Sequence, residues 1–316
     1  MARRKSSNVL FVDYFDEWVE TYKVGAVREV TLSKYYNTAK KLKEIVPTLK
    51  LHDLDRRTYQ QIINEYAKTH EKQTTMDFHH QIKGAILDAV DENLIERNPT
   101  RKVTLKGKEP SEKKIKYLSV DELKSLISTL DYSNEINMDW FIVFIAKTGL
   151  RFSEALAVTP NDIDVSTQTL TINKTWEYKK TNATFQPTKN KSSIRKIRLD
   201  WQLIGQFCPI LSKLPPERPI FVETDEDGKY KRIFNSTVNN YLERKCKEAA
   251  VPVITVHALR HTHASILLAE GVTIHSIAER LGHSNVTTTQ ETYTHIIKEL
   301  ELKDETKMIG ALSSIA

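Results

Sequence analysis

The segment from residue 101 to residue 116 interrupts an otherwise helical pattern of apolar residues and divides the chain into two parts. Helical spacing stops there, and lysine or arginine recurs against only two acidic residues, Glu109 and Glu112. Loss of periodicity together with a run of charge is typical of a linker between domains. A chain of 316 residues is long enough for two domains that each bury a core. We therefore predict two domains joined by a basic linker.

The positive charge of this linker has two explanations. A flexible cationic strap would neutralise phosphates in a protein that encircles a duplex, but a solvated tether between domains commonly has the same composition. The net charge of +6 and the pI near 9.0 permit a polyanionic partner without requiring one. The candidate DNA contacts in the linker are Arg101, Lys102, Lys106, Lys108, Lys113 and Lys114.

Residues 9–100 are predicted to form a small helical domain. Apolar residues recur at helical spacing from Phe11 to Tyr22 and again from Tyr35 to Ile45. Two more helices are predicted, from about Leu54 to Lys68 and from about Thr74 to Glu92. The outward faces of these helices carry charges of both signs, so a solvated bundle and a DNA-binding domain fit equally well.

Residues 117–298 are predicted to form a second domain, mostly helical with a small antiparallel sheet. Ser119 and Glu122 have the spacing of a capping box, which predicts the start of a helix. Alternation of apolar and polar residues predicts strands at 169–172 and 196–199. The fold class expected for the whole chain is therefore mainly α with a small antiparallel sheet.

Composition excludes several classes of protein. Hydrophobic residues make up 40% of the chain and charged residues 28%, and no apolar stretch is long enough to cross a bilayer. The two cysteines, Cys208 and Cys246, are too few for a disulfide framework and are not spaced as metal ligands. We expect a soluble, cytoplasmic protein without a membrane partner.

Two polar segments of the second domain carry arginines that could act in catalysis. A helix from Met138 to Ala146 is predicted to end at Gly149, which places Arg151 at a turn and Glu154 three residues later; alone, this is a surface ion pair. In the segment 257–263, His257 and Arg260 share a helix face. The spacing of His257 and His261 suits zinc, but the glutamate that such a site needs is replaced by Ala258.

Two further segments are equally ambiguous when each is considered alone. Residues 281–289 form a polar Gly-His turn that leads to Tyr293, and a lone tyrosine is more often a half-buried anchor than a nucleophile. Residues 189–195 are a cationic turn between two strand-like stretches, for which a solvated hairpin tip is the ordinary explanation.

Together the four segments resemble the tyrosine recombinases, most closely the integrases of conjugative transposons and temperate phages. The helical first domain is similar to the core-binding, SAM-like domain of that family in helix pattern and position. The resemblance implies a C-shaped clamp of two domains around DNA. It rests on Thr-Gly-Leu-Arg-x-Ser-Glu at 148–154, the lysine near 189, His-x-Leu-Arg-His-Thr at 257–262, and Leu-Gly-His with a downstream Thr-Thr and Tyr at 281–293.

The resemblance implies a clamp for the reacting phosphate. A phosphodiester in transfer gathers negative charge on its nonbridging oxygens, and two arginines can hold those oxygens bidentately from fixed directions. Arg151 and Arg260 match the family's clamp residues. Glu154 would orient the arginine and histidine side chains, because a misplaced clamp loses its advantage in the transition state.

The nucleophile implied by the resemblance is Tyr293. A phenol with a pKa of about 10 is a poor nucleophile at neutral pH, so it needs a base and cationic surroundings. The family assigns this environment to His257, with His283 donating a hydrogen bond to the phosphate. The leaving 5′ oxygen takes a proton from a lysine on a mobile hairpin, which register places at Lys189. Lys191 is the alternative, and it is also a candidate DNA contact.

The implied product is a 3′-phosphotyrosine with a free 5′ hydroxyl, so the bond energy is conserved and no ATP is required. Nothing in the set binds a metal and no phosphate-binding loop occurs, so no cofactor is expected. Two duplexes carry four cleavage sites, which implies a homotetramer on double-stranded DNA at attachment or transposon-end core sites. An excisionase or a DNA-bending protein would be the accessory partner.

Both ends of the chain raise expectations of their own. Integrases of this subgroup usually carry a further domain that binds arm sites, whereas here only residues 1–8, with the basic Arg3, Arg4 and Lys5, precede the first helix. We expect either a shortened chain or an enzyme without arm binding. At the other end, apolar residues recur at helical spacing within 299–316, and we expect this tail to dock on a neighbouring protomer.

Two rival functions remain open. A type IB topoisomerase-like relaxase would share the covalent chemistry but would need no pairing of sites, so comparing one site with paired sites separates the two enzymes. A DNA-binding regulator could keep the fold without the chemistry, and the intact catalytic set argues against it.

Overall fold

The molecule divides into two compact units, Met1–Lys113 and Lys114–Ala316. The boundary falls inside the basic segment 101–116, and each unit has a buried apolar core. The computed structural model describes residues 8–109, 117–132, 135–180 and 183–293. The candidate contacts Arg3, Arg4, Lys5, Lys113 and Lys114 and the predicted tail 299–316 lie outside the described residues.

The first unit contains the four helices that apolar spacing predicts. Phe11, Phe15 and Trp18 lie on one face of the first helix and are buried in the core. The indole Nε1 of Trp18 donates to Oδ2 of Asp88 at 2.6 Å, which ties the first helix to the fourth. The helices are α1 (Phe11–Tyr22), α2 (Glu29–Ile45), α3 (Arg56–Ala67) and α4 (Lys72–Asp91).

The part of the predicted linker before residue 110 packs on the first unit and is not a free strap. The backbone nitrogen of Lys108 donates to the carbonyl of His70 at 2.8 Å. The side chain of Gln60 on α3 exchanges two hydrogen bonds of 2.9 Å with the backbone of Thr104. The backbone groups of Lys102, Thr104 and Lys108 therefore have hydrogen-bond partners on this unit. The side chains of Arg101, Lys102, Lys106 and Lys108 remain exposed.

The second unit is mainly helical, as predicted, with strands that form small antiparallel sheets. None of the helices in the described part of the chain is long and apolar enough to cross a membrane. Its helices are α5 (Val120–Ser128), α6 (Met138–Thr148), α7 (Phe152–Leu156), α8 (Trp201–Leu211), α9 (Asn235–Glu248), α10 (Val256–Ala269) and α11 (Ile274–Leu281). Its strands are β1 (Ile163–Asp164), β2 (Thr169–Ile172), β3 (Lys174–Trp176), β4 (Phe185–Pro187) and β5 (Arg195–Arg198).

The strands pair in the order β1-β2-β5 and, separately, β3-β4. Both predicted strands are present, the second one residue earlier than predicted, and they pair antiparallel with Leu170 opposite Ile197. The expectation that Lys189 lies at a hairpin tip is wrong, because β4 pairs with β3 whereas β5 pairs with β2. Lys189 lies instead on the connection between the two sheets.

Two glycine turns shape the end of the second unit where the catalytic motifs meet. Helix α6 ends at Gly149 with φ of 69°, and α11 ends at Gly282 with φ of 70°. A Cβ atom at Gly149 would lie 2.7 Å from the ring of His263, and one at Gly282 would lie 2.8 Å from Nη1 of Arg195. Only glycine fits such a left-handed position in so little space. These two glycines therefore allow the backbone to turn sharply where α6 and α11 end.

Candidate active site

Arg260, on α10, holds the two glycine turns together. It is buried, at 3% exposure. Its Nη1 donates to the carbonyl of Gly149 at 2.7 Å, and its Nη2 donates to the carbonyl of Leu281 at 2.7 Å. Burial, followed by the charge of Arg151, lowers the pKa of Arg260 to about 9, which leaves the guanidinium cationic at neutral pH. The arginine is thus a fixed positive charge at the centre of the site.

Arg151 immediately precedes α7, as its N-cap residue, and is partly exposed. Its Nη2 donates to the carbonyl of Gly282 at 3.0 Å, and its Nη1 donates to Oε1 of Glu154 at 2.7 Å. The backbone nitrogen of Arg151 donates to the other carboxylate oxygen at 3.1 Å. The side chain is 34% exposed, so an anion from solvent can reach it. Arg151 and Arg260 therefore converge on the Gly282 turn from two different helices.

Glu154 is shared between Arg151 and a third arginine, Arg195 of β5. Its side chain is 2% exposed, and Nη2 of Arg195 lies 3.0 Å from its Oε2. Burial raises the pKa of this carboxyl, but Arg195 and Arg151 outweigh it, so the pKa lies below its usual value. Glu154 is therefore a buried carboxylate that contacts both Arg151 and Arg195.

Arg195 is a functional candidate that the sequence analysis missed. Its Nε donates to the carbonyl of Arg280 at 2.6 Å, and its Nη1 donates to the carbonyl of Ser193 at 2.9 Å. The arginine therefore connects β5 with the turn that carries His283. The signal that could have found it is weak: a charged residue inside an alternating strand, six residues after Lys189.

His283 follows the second glycine turn and contacts the arginine clamp directly. Its Nε2 lies 3.0 Å from Nη2 of Arg260, and its Nδ1 lies 2.7 Å from Oγ1 of Thr289. Burial, followed by Arg260 and Arg151, lowers the pKa of His283 to about 4, so the ring is neutral at pH 7. A neutral imidazole beside two arginines can offer a single N–H to an anion.

Tyr293 is the last described residue of the helical segment 286–293 and is 2% exposed. Its hydroxyl oxygen lies 3.0 Å from Nδ1 of His261. Burial raises the pKa of Tyr293 to about 12, and the nearby Arg260 opposes that rise. The hydrogen-bond partner of the phenol is therefore His261, to which the sequence analysis gave no role.

His257 lies one helical turn before His261, with the two ring centroids 4.9 Å apart. Partial burial, followed by Arg260 and Arg151, lowers the pKa of His257. His257, whose side chain is exposed, therefore contacts His261, which in turn contacts the phenol.

The two candidate lysines are exposed on the connection that follows β4. Lys189 precedes a short 3-10 helix, Lys191–Ser193, which Lys191 begins. Hydrogen bonds link Arg151, Glu154, Arg260 and His283 in one group. Arg195 ties the segment that carries the two lysines to this group, because it donates both to the carbonyl of Ser193 and to Glu154. In the described part of the chain, no three side chains are arranged to hold a metal ion.

Comparison with protein families gives matches along both units. The phage integrase family model matches residues 116–299, more than half of the chain. The phage integrase SAM-like domain model matches residues 10–105.

Characterised relatives match over nearly the whole chain. The integrase of Staphylococcus phage L54a is 27% identical, over 96% of this chain and 95% of the relative. The tyrosine recombinase XerC of Bacillus subtilis is 26% identical, over 92% and 93% of the two chains.

Solved structures with a similar fold include DNA complexes. The Tn1549 transposon integrase in complex with a circular intermediate DNA superposes with a TM-score of 0.76 and 17% identity, over 90% of this chain and 95% of that one. A lambda integrase tetramer bound to a Holliday junction gives a TM-score of 0.64 and 18% identity, over 90% and 81%. At these identities the likeness is one of fold.

Proposed function

The chain belongs to the phage integrase family and is a tyrosine-type site-specific recombinase, and we propose that it cuts and rejoins DNA through a covalent bond between Tyr293 and a 3′ phosphate. Its reaction would integrate and excise a mobile element. One observation carries the residue assignment: Arg151, Arg260 and His283 meet at the Gly282 turn, at the start of the segment that bears Tyr293.

The arginines and His283 would bind the scissile phosphate. Arg260 is fixed by two backbone carbonyls, and Arg151 is fixed by Gly282 and Glu154. Groups held in place in this way need no reorganisation when charge develops in the transition state. Because Arg151 remains partly exposed, the phosphate would enter from its side and reach Arg260 and His283 behind it.

The attacking oxygen would lose its proton to the histidine pair. With its pKa raised to about 12, Tyr293 is protonated at neutral pH and needs a base. Nδ1 of His261 lies 3.0 Å from the hydroxyl oxygen, where it can accept the proton, and His257 lies next to it, under the influence of the Arg260 and Arg151 charges. The proton would pass to this pair as the phenol turns toward the phosphorus atom.

The leaving 5′ oxygen would take its proton from Lys189. The lysine is exposed on the segment that connects the two sheets. Arg195 links this segment to Glu154 and so to the arginines of the site. In the proposed reaction, the lysine approaches the 5′ oxygen when DNA is bound. Lys191, exposed two residues later, remains the alternative.

Double-stranded DNA would be bound by four copies of the chain during strand exchange. The DNA complex of the Tn1549 integrase and the lambda integrase tetramer on a Holliday junction support DNA as the partner and assembly as the working state. A tetramer of this chain, docking of its tail in trans, and an accessory excisionase or bending protein stay predictions.

The decisive experiment traps the covalent intermediate. Duplexes made from the ends of the element that encodes the chain are nicked near the exchange point, so that the freed end diffuses away and the adduct persists. We expect wild-type protein to form a DNA adduct whose tryptic peptide contains Tyr293, and Tyr293→Phe to bind the same DNA without forming it. An adduct with Tyr293→Phe would exclude the assignment. Relaxation of plasmids without a defined partner site would instead favour the topoisomerase-like alternative.

A further inference from the structure

Thr289 is a buried hydroxyl between His283 and the segment that bears Tyr293. Its side chain is 0% exposed, and its Oγ1 lies 2.7 Å from Nδ1 of His283. It lies in the helical segment 286–293, four residues before Tyr293, so the two side chains share a face of that segment. A buried hydroxyl needs a hydrogen-bond partner, and His283 is that partner.

The contacts of His283 determine which ring nitrogen carries the proton. Nε2 lies 3.0 Å from Nη2 of Arg260, and a guanidinium group can only donate. Nε2 must therefore accept. In a neutral imidazole the other nitrogen then holds the proton, so Nδ1 donates to Oγ1 of Thr289.

The proposed reaction requires the opposite tautomer. To donate to a phosphate held by the two arginines, His283 must use the nitrogen that faces Arg260, which is Nε2. That nitrogen carries no proton while Arg260 donates to it. When a phosphate oxygen takes over the Nη2 hydrogen of Arg260, Nε2 can become a donor. Nδ1 must then accept a hydrogen bond from Thr289 instead of giving one.

We propose that the Thr289 hydroxyl is a reversible hydrogen-bond partner that lets His283 change from the Nδ1–H to the Nε2–H tautomer when the phosphate binds. This inference rests on the proposed function. One proton passes from water to Nε2 and another passes from Nδ1 to water, so the ring is neutral before and after the change. A hydroxyl serves both states because it donates and accepts equally well, whereas a backbone carbonyl would hold the ring in one tautomer. Thr289 is thus a positioning residue that acts through His283.

The first arm of the test reads the tautomer directly. Histidine of the full chain is labelled with 15N, Tyr293→Phe prevents cleavage, and loss of one signal in a further His283→Gln substitution assigns the resonances. Protonated and unprotonated ring nitrogens differ widely in 15N shift, so both neutral tautomers and the imidazolium are distinguishable. We expect Nδ1–H in the free protein and Nε2–H on a duplex that wild-type protein cleaves. An unchanged tautomer, or a doubly protonated ring, would overturn the proposal.

The second arm measures single-turnover adduct formation on the same duplex. Thr289→Val keeps the shape without the hydroxyl and should slow adduct formation about tenfold, the equivalent of one hydrogen bond. Thr289→Ser should restore both the rate and the change of tautomer. Thr288→Val, at an exposed neighbouring threonine, should match wild type. Thermal unfolding shows whether Thr289→Val still folds, and if it does not, the Thr289→Ser spectrum decides.

The outcomes separate this inference from the proposed function. Absence of an adduct with wild-type protein would contradict the proposed function. A wild-type adduct together with an unimpaired Thr289→Val protein would contradict only the role of Thr289.

Discussion

Nδ1 of His261, on α10, lies 3.0 Å from the hydroxyl oxygen of Tyr293, and the two atoms share a hydrogen bond. The ring of Tyr293 packs in a small apolar cluster with Ala264, Leu268 and Leu281. In this arrangement the phenol is buried and protonated, since its pKa is raised to about 12. The proposed attack of Tyr293 on a phosphate would therefore need the segment 286–293 to bring the hydroxyl out of this cluster.

The first prediction concerns which histidine takes the phenolic proton. His261→Gln should slow adduct formation by about a hundredfold or more, as expected for loss of a general base. His257→Gln should slow it less, because the hydrogen-bond contact to the phenol is made by His261. Single-turnover cleavage at saturating protein measures both. The reverse order would assign the base to His257, as the family resemblance implied.

Local sequence signals predicted the parts of the site that depend on local structure. The capping box at Ser119, the end of α6 at Gly149 and the four helices of the first unit are all present. Each depends on residues within a few positions of one another, so spacing alone suffices. For the same reason Arg151 could be placed at a turn and Arg260 on a helix.

The partners of these residues could not be predicted, because they depend on long-range packing. Arg195 and Glu154 are 41 residues apart, and His261 and Tyr293 are 32 apart. No periodicity links such positions. The strand connection was also misjudged, because residues adjacent in sequence join strands of different sheets. The family resemblance supplied a catalytic set but not the contacts of Thr289 or Arg195.

The second prediction concerns Arg195. Arg195→Met should lower the free energy of unfolding by about 3 kcal/mol, because one partner of a buried ion pair is removed. Arg195→Lys should rescue little, since a single ammonium cannot reach Glu154 and the carbonyls of Ser193 and Arg280 together. Urea denaturation measures the change. Arg198→Met, at an exposed side chain of the same strand, is the control; an equal loss in both variants would refute a specific role.

The third prediction separates backbone strain from steric clash. Gly149→Ala and Gly228→Ala both place a Cβ at positive φ, 69° and 76°, which costs about 1–2 kcal/mol. At Gly228 nothing lies within 4 Å, whereas at Gly149 the ring of His263 lies 2.7 Å away. His263 is held by Ala146 and Arg280 and cannot yield easily. Gly149→Ala should therefore be less stable than Gly228→Ala by a further ~1–3 kcal/mol. Equal stabilities in thermal unfolding would contradict this.

The fourth prediction tests the exposed basic residues that pack on the first unit. If Lys106 and Lys108 contact phosphates, replacing both with alanine should reduce the slope of log affinity against log salt by about two. The control is the double variant with Lys196→Ala and Lys213→Ala, at exposed positions of the second unit. It tests whether the loss of any two lysines reduces the slope equally. Fluorescence anisotropy over a salt series gives the slopes. An unchanged slope for Lys106 and Lys108 would leave them as ordinary solvated charges.

The fifth prediction identifies the lysine that protonates the leaving oxygen. Lys189→Ala should block cleavage of ordinary DNA but be largely rescued by a 5′-phosphorothiolate, because sulfur leaves without a proton. Arg151→Ala should not be rescued, since its proposed role is to hold the phosphate. The Lys191→Ala protein should cleave both substrates at similar rates, because Lys191 is an exposed residue two positions after Lys189, the predicted proton donor. Single-turnover rates on the matched oxygen and sulfur substrates give a rescue ratio for each variant.

A high ratio for Lys191→Ala and a ratio near that of wild type for Lys189→Ala would move the assignment to Lys191. A low ratio for both would place the proton donor outside this connection, although the clamp and the nucleophile would stand.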